Sequence, residues 1–97
     1  MKVYLACFDV DDDKKRRRLS KLLLSYGERV QFSVFEITLK NEASLKKLLQ
    51  RCKQHVDEGD SLRFYALPLN AREGSFDIDG EPIARFPQAE ILLRFAL

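Results

Sequence analysis

Apolar residues recur on both parities of the first segment: Val3, Leu5 and Cys7 on one, and Tyr4, Ala6 and Phe8 on the other. A strand with two apolar faces belongs in the middle of a sheet, covered on both sides. Lys2 to Asp9 is therefore expected as a central strand. Asp11 or Asp12 then offers an N-cap for a helix expected to run to Tyr26, with Gly27 as its C′ residue. Its buried stripe is Leu19, Leu22, Leu23 and Tyr26, spaced i, i+3, i+4, i+7, and Leu24 falls off that stripe.

From Arg29 to Lys40 the residues are β-branched and aromatic, but the parity slips. Val30, Phe32 and Val34 share one face, whereas Phe35, Ile37 and Leu39 share the other. A turn or bulge near Ser33-Val34, dividing two antiparallel strands, resolves the conflict. Asn41 is expected to cap a second helix with the stripe Leu45, Leu48, Leu49, Cys52 and Val56, ended by Gly59. Ser61 to Leu67 reads as a fourth strand stopped by Pro68. Beyond it, Asn70 to Pro87 is polar and turn-rich, with Asp79-Gly80 as a hairpin candidate between Phe76–Ile78 and Ile83. Ala89 to Leu97 is apolar enough for an added strand.

The order β-α-β-β-α-β predicts an α+β, ferredoxin-like sandwich in which right-handed crossovers put both helices on one sheet face. Two helices leave the other face open, and the first strand is apolar there too. A partner subunit or the C-terminal tail is expected to cover it, which predicts a homodimer through the open sheet face. The organisation expected is a ferredoxin-like domain over residues 1–69 and a C-terminal extension, 70–97, that docks on a partner subunit.

At 97 residues there is room for one core. The formal net charge of +2 hides a division along the chain. Residues 1–55 hold 13 Lys and Arg against 7 Asp and Glu, while residues 56–97 hold 4 against 8. The first half is thus a candidate surface for a polyanion. No apolar stretch approaches the ~18 residues of a membrane span, and the N-terminus has no secretory signal pattern, so a cytoplasmic location is expected. Cys7 and Cys52 have no metal spacing and read as buried thiols.

The chemistry concentrates between Cys7 and Arg18, where a strand ending in Asp9 meets three more acids and then five consecutive cations. The acids favour the positive end of a helix dipole and pair at i, i+4 with Lys15, Arg16 and Arg17. The cations sit where that dipole disfavours them, and phosphate binding would compensate. Lys14, Arg18 and Lys21 recur at i, i+4, i+7 along one helix face. A lone Asp9 is a cap, but two copies near a dimer axis would give a divalent metal the carboxylate pair it needs to activate water against a phosphodiester. His55, the sole histidine, borders the second helix's stripe and reads as a satisfied flank residue. There is no P-loop, dinucleotide fingerprint, nucleophile elbow or zinc spacing.

The strand ending in Phe8-Asp9-Val10, the DDDKKRRRLSKLL opening of the first helix and the run YGERVQFSVFEITL from Tyr26 to Leu39 resemble the CRISPR-associated protein 2 family. The similarity covers roughly residues 2–67. It implies a ferredoxin-like homodimer that acquires new spacers together with CRISPR-associated protein 1, the integrase, and that has been described as a Mg²⁺-dependent endoribonuclease or DNase. The metal-binding, catalytic carboxylate of that family maps onto Asp9, one from each subunit. Arg16, Arg18 and Arg29 are carried over as nucleic-acid contacts beside Lys14 and Lys21, and Phe35 as an interface residue. The family commonly has Tyr before the aspartate where this chain has Phe8, so no role passes to a phenol. The resemblance leaves two readings, a metal-dependent nuclease or a non-catalytic scaffold bridging integrase dimers and duplex DNA. A small-ligand regulatory domain is the blander third.

Overall fold

A computed structural model of the chain describes residues 1–83. The chain divides into two units, Met1–Ala66 and Leu67–Leu97. The first contains β1 (Lys2–Asp9), α1 (Asp13–Leu24), β2 (Gly27–Gln31), β3 (Val34–Leu39), α2 (Glu42–Lys53) and β4 (Ser61–Ala66). They form one antiparallel sheet in the order β2-β3-β1-β4 with β1 inside, the β-α-β-β-α-β arrangement that the pattern predicts.

Register explains why both helices share a face. Ala6 pairs with Phe35 and with Phe64, and Tyr4 with Ile37, so these side chains point the same way. Leu19 and Leu23 of α1 and Leu48 and Cys52 of α2 pack onto them, each between 0% and 2% exposed. Phe8 stacks on Phe35 with centroids 6.0 Å apart and planes at 14°. The opposite face carries Val3, Leu5, Cys7 and Thr38, of which Val3 and Thr38 are buried and the others half-buried. Leu24 is 48% exposed, as its place off the stripe requires.

Local chemistry sets the boundaries. Asp12 is the N-cap of α1, its Oδ2 accepting from the Lys15 amide at 2.8 Å, and Asn41 caps α2 through the Ser44 amide at 2.9 Å. The first helix stops earlier than expected, at Leu24. Ser25 turns the chain by donating from its amide to Leu22 O, and Tyr26 O already accepts from the Thr38 amide in the sheet at 3.0 Å. Gly27 is therefore not a C′ residue but the first residue of β2, and its φ is not positive. It is glycine because a Cβ there would lie 1.9 Å from the carbonyl oxygen of Glu36. The hairpin turns at Phe32-Ser33, as the parity slip requires, and a bulge between Arg29 and Gln31 shifts the β2–β3 register. Likewise, α2 ends at Lys53 rather than at Gly59. That glycine, at φ 89°, sits instead in a turn closed by the Asp60 amide on Asp57 O at 3.0 Å.

The second unit opens with a five-residue helix that the sequence pattern did not predict, α3 (Leu69–Glu73). Arg72 Nε donates to Leu67 O at 3.1 Å and Ser75 Oγ to Ala71 O at 2.7 Å. A turn then follows in which Asp77 Oδ1 accepts from the amides of Asp79 and Glu81 and Gly80 takes φ 80°. A bridge between Phe76 and Pro82 gives the expected hairpin a single rung. The strand expected over residues 89–97 lies outside the described residues.

Candidate nucleic-acid and metal interface

The β1–α1 junction is built by hydrogen bonds that engage Asp12, Asp13, Lys15 and Arg16. Asp12 is the cap, and Asp13 is paired with Arg16 Nη2. Arg16 Nη1 also donates to Val10 O at 2.9 Å and to Asp11 O at 3.3 Å, so this guanidinium ties down the bend between strand and helix. Two acids that the motif reading passed over hold the bend from the other side. Asp60 accepts from the amides of Asp11 (3.1 Å) and Asp57 (2.9 Å), and Asp57 accepts from Lys15 Nζ at 2.5 Å. The Asp57 hydrogen bond raises the Lys15 ammonium above its ordinary value, and Lys15 is committed to it.

What remains free is instructive. Asp9 ends β1 on an exposed position opposite Ser61, and its carboxylate meets no hydrogen-bond or ion-pair partner among the described residues. Lys14, Arg18 and Lys21 are exposed on α1 and have no carboxylate partner among the described residues. Arg29 leaves the edge of the sheet with its guanidinium 5.1 Å from the Phe35 ring centroid and 5.7 Å from that of Phe32. Phe35 itself is 0% exposed and packs in the core, whereas Phe32 beside it is 72% exposed. Among the described residues no cluster of three or more His, Cys, Asp or Glu could hold a metal. Asp9 by itself is one carboxylate, where a hard cation takes several oxygens.

His55 lies just beyond the end of α2, its amide on Cys52 O at 2.9 Å. Burial lowers its affinity for a proton, and Arg18, Lys15 and Arg51 lower it further. Cys52 is pushed up to about 11 by burial, which leaves it a packing thiol rather than a nucleophile. On the opposite sheet face Arg63 Nη1 donates to the Tyr65 hydroxyl at 3.2 Å. No helix among the described residues is long and apolar enough to cross a membrane.

Comparison with known proteins gives this arrangement its context. Residues 1–73 match the family model described as CRISPR associated protein Cas2. The chain is 39% identical over 94 residues to the CRISPR-associated endoribonuclease Cas2 3 of Synechocystis, covering 96% of this chain and 100% of that one. It is 46% identical over 65 residues to the CRISPR-associated endonuclease Cas2 2 of Thermus thermophilus, covering 66% and 71%. Among solved structures it is similar to a chain of a partial Cas6-RT-Cas1–Cas2 complex, with a TM-score of 0.82, 44% identity and coverage of 90% and 95%. The Cas2 crystal structure from Streptococcus pyogenes matches with a TM-score of 0.70 at 34% identity, covering 78% and 98%.

Proposed function

The chain belongs to the CRISPR-associated protein Cas2 family, and on that premise we propose that it is a nucleic-acid-binding subunit of spacer acquisition that works as a homodimer beside the integrase Cas1. The structural relative found in a complex with Cas1 supports the partner, and the nuclease names of the curated relatives support an endonuclease activity on RNA or DNA. The observation that carries the reading is the pairing of a free acid with free cations at one sheet end. Asp9 is the strand-end carboxylate that has no partner among the described residues, and the exposed Lys14, Arg18 and Lys21 follow on the next helix.

In the proposed dimer, Asp9 of each subunit would hold Mg²⁺, a cation often bound by one or two carboxylates with water and phosphate oxygens completing its shell. The metal, when bound, supplies Lewis-acid activation of water toward a phosphodiester. The chain's own residues do the rest. Lys14, Arg18 and Lys21 hold phosphate oxygens by charge-assisted hydrogen bonds. Arg16 acts at one remove, because its guanidinium is spent on Val10 O, Asp11 O and Asp13 and so sets where Asp9 and the helix start lie. Arg29 presents a cation braced against two aromatic rings. Phe8, buried at 7% exposure, fixes the strand end by packing on Phe35. The extension over residues 70–97 is proposed to dock on the partner subunit.

A specific observation also favours the scaffold reading. His55, the only histidine, lies among cations at the end of α2, and the described residues place no second acid or base in hydrogen-bond contact with Asp9. Basic surfaces alone can hold duplex DNA without cutting it. The deciding experiment compares wild type and Asp9→Asn on single-stranded RNA and duplex DNA, with Mg²⁺ or EDTA. Metal-dependent cleavage that vanishes in Asp9→Asn, with binding retained, is the expected result. Salt-sensitive binding by both proteins with cleavage by neither would assign the scaffold role.

A further inference from the structure

Cations of α1 and of the end of α2 come together around His55. The helices run antiparallel over one sheet face, so the start of α1 lies beside the end of α2. The Lys15–Asp57 pair identifies the flank of α1 that faces the loop after α2. Helical spacing puts Arg18 one turn on along that flank, with Lys14 and Lys21 beside it. On α2, Lys47 and Arg51 are spaced i, i+4, His55 follows just past the helix end, and Arg18, Lys15 and Arg51 are the cations that act on His55, which brings the start of α1 beside the end of α2.

Counter-charges are scarce here. Between Lys14 and Leu24 there is no acid, and none lies between Ala43 and Lys53. Asp57 is engaged with Lys15, Asp60 accepts from the amides of Asp11 and Asp57, and Asp12 caps α1. Like charges facing across a helix pair repel, and a fold keeps such an arrangement where an anion comes between them.

Resting on the nucleic-acid reading above, we propose that the phosphate-binding surface is a groove made by two helices, in which Lys47 and Arg51 of α2 and His55 just past its end complete the row Lys14, Arg18 and Lys21 of α1. The occupant is a nucleic-acid backbone. From Lys14 to Lys21 the helix rises about 10 Å, a length over which one strand carries about three phosphates. His55 gives the groove a signature that a bare row of lysines lacks. Without ligand, burial and the three neighbouring cations lower its affinity for a proton. A phosphate among those cations cancels their repulsion and favours the charged imidazolium, so binding takes up a proton. Affinity is then greatest at low pH and falls as pH rises through the His55 titration.

The test is fluorescence anisotropy of the full chain on labelled duplex DNA and single-stranded RNA, from about 50 to 200 mM salt and from about pH 5.5 to 8. Lys47→Ala/Arg51→Ala is expected to make the slope of log affinity against log salt shallower by about two, the contribution of two phosphate contacts. His55→Gln is expected to flatten the pH dependence. Far-UV circular dichroism confirms folding, since Lys47 and Arg51 are exposed. If the slope persists in that double variant while Lys14→Ala/Arg18→Ala reduces it, the surface is α1 alone and the two-helix groove is overturned. A wild-type affinity independent of pH removes His55 from it. An absence of salt-dependent binding in wild type defeats the nucleic-acid reading itself.

Discussion

The two long helices invite comparison because so much about them is equal. Each has twelve residues, each is capped by an Asx side chain on the amide three residues on, and each anchors a leucine at 0% exposure in the same core. They part in how charge runs along them. In α2 the acid Glu42 lies in the first turn and Arg51 and Lys53 in the last, the order that a helix dipole favours. In α1 five cations follow a single acid, Asp13, directly at the positive end. Lys15 and Arg16 are rescued by Asp57, Asp13 and two carbonyls, while Lys14, Arg17 and Arg18 find no such partner among the described residues. The charge order of α2 serves the helix itself, whereas that of α1 is the one the proposed phosphate contacts would compensate.

The largest test of that contrast asks whether the packing really is equivalent. Leu19→Ala in α1 and Leu48→Ala in α2 are each expected to cost about 2–5 kcal/mol in denaturant unfolding, because both are fully enclosed. A far smaller loss for Leu19 would mean that α1 differs in packing as well as in charge. Next come the caps. Asp12→Ala and Asn41→Ala should each remove about 1 kcal/mol, and the Asp12 variant should lose somewhat more because its charge also faces the positive dipole end. Equal losses would show that the dipole at α1 is already saturated by Asp13. The smallest effect is the most telling. Lys14→Glu should raise stability by about 0.3–1 kcal/mol at low salt while weakening nucleic-acid binding, whereas Lys53→Glu should lower stability by a similar amount. A Lys14 variant that loses both stability and binding would break the comparison.

Much of this was legible in the sequence because the informative positions are periodic. The stripe Leu19, Leu22, Leu23 and the parity slip at Ser33 placed α1 and the β2–β3 hairpin, and the Asp9 position followed from the end of β1. Gly27 was misread because a helix-ending glycine and one excluded by a facing carbonyl look alike in one dimension, and only the 1.9 Å approach to Glu36 separates them. The tie between Asp60 and the Asp11 amide spans 49 positions and has no local mark. Arg16 looked like its neighbours in a run of five cations, yet the fold turns it inward onto carbonyls. Lys47 and Arg51, with His55 just past the helix end, could have been found by applying to α2 the same i, i+4 spacing that was applied to α1. The short helix α3 has too few turns for periodicity to show.

The bulge in β2 has a bearing on how the chain behaves in a crowd. As an outer strand of the sheet, β2 would otherwise offer its backbone as a template on which further chains could stack, and Val30 and Phe32 beside it are exposed enough to adhere. The shift between Arg29 and Gln31 breaks the run of evenly spaced backbone groups after a few residues, and Glu28 and Arg29 put unlike charges along what is left. An incoming strand can follow neither part for long. The bulge that follows Arg29 therefore also shortens the stretch of edge on which a fibre could grow.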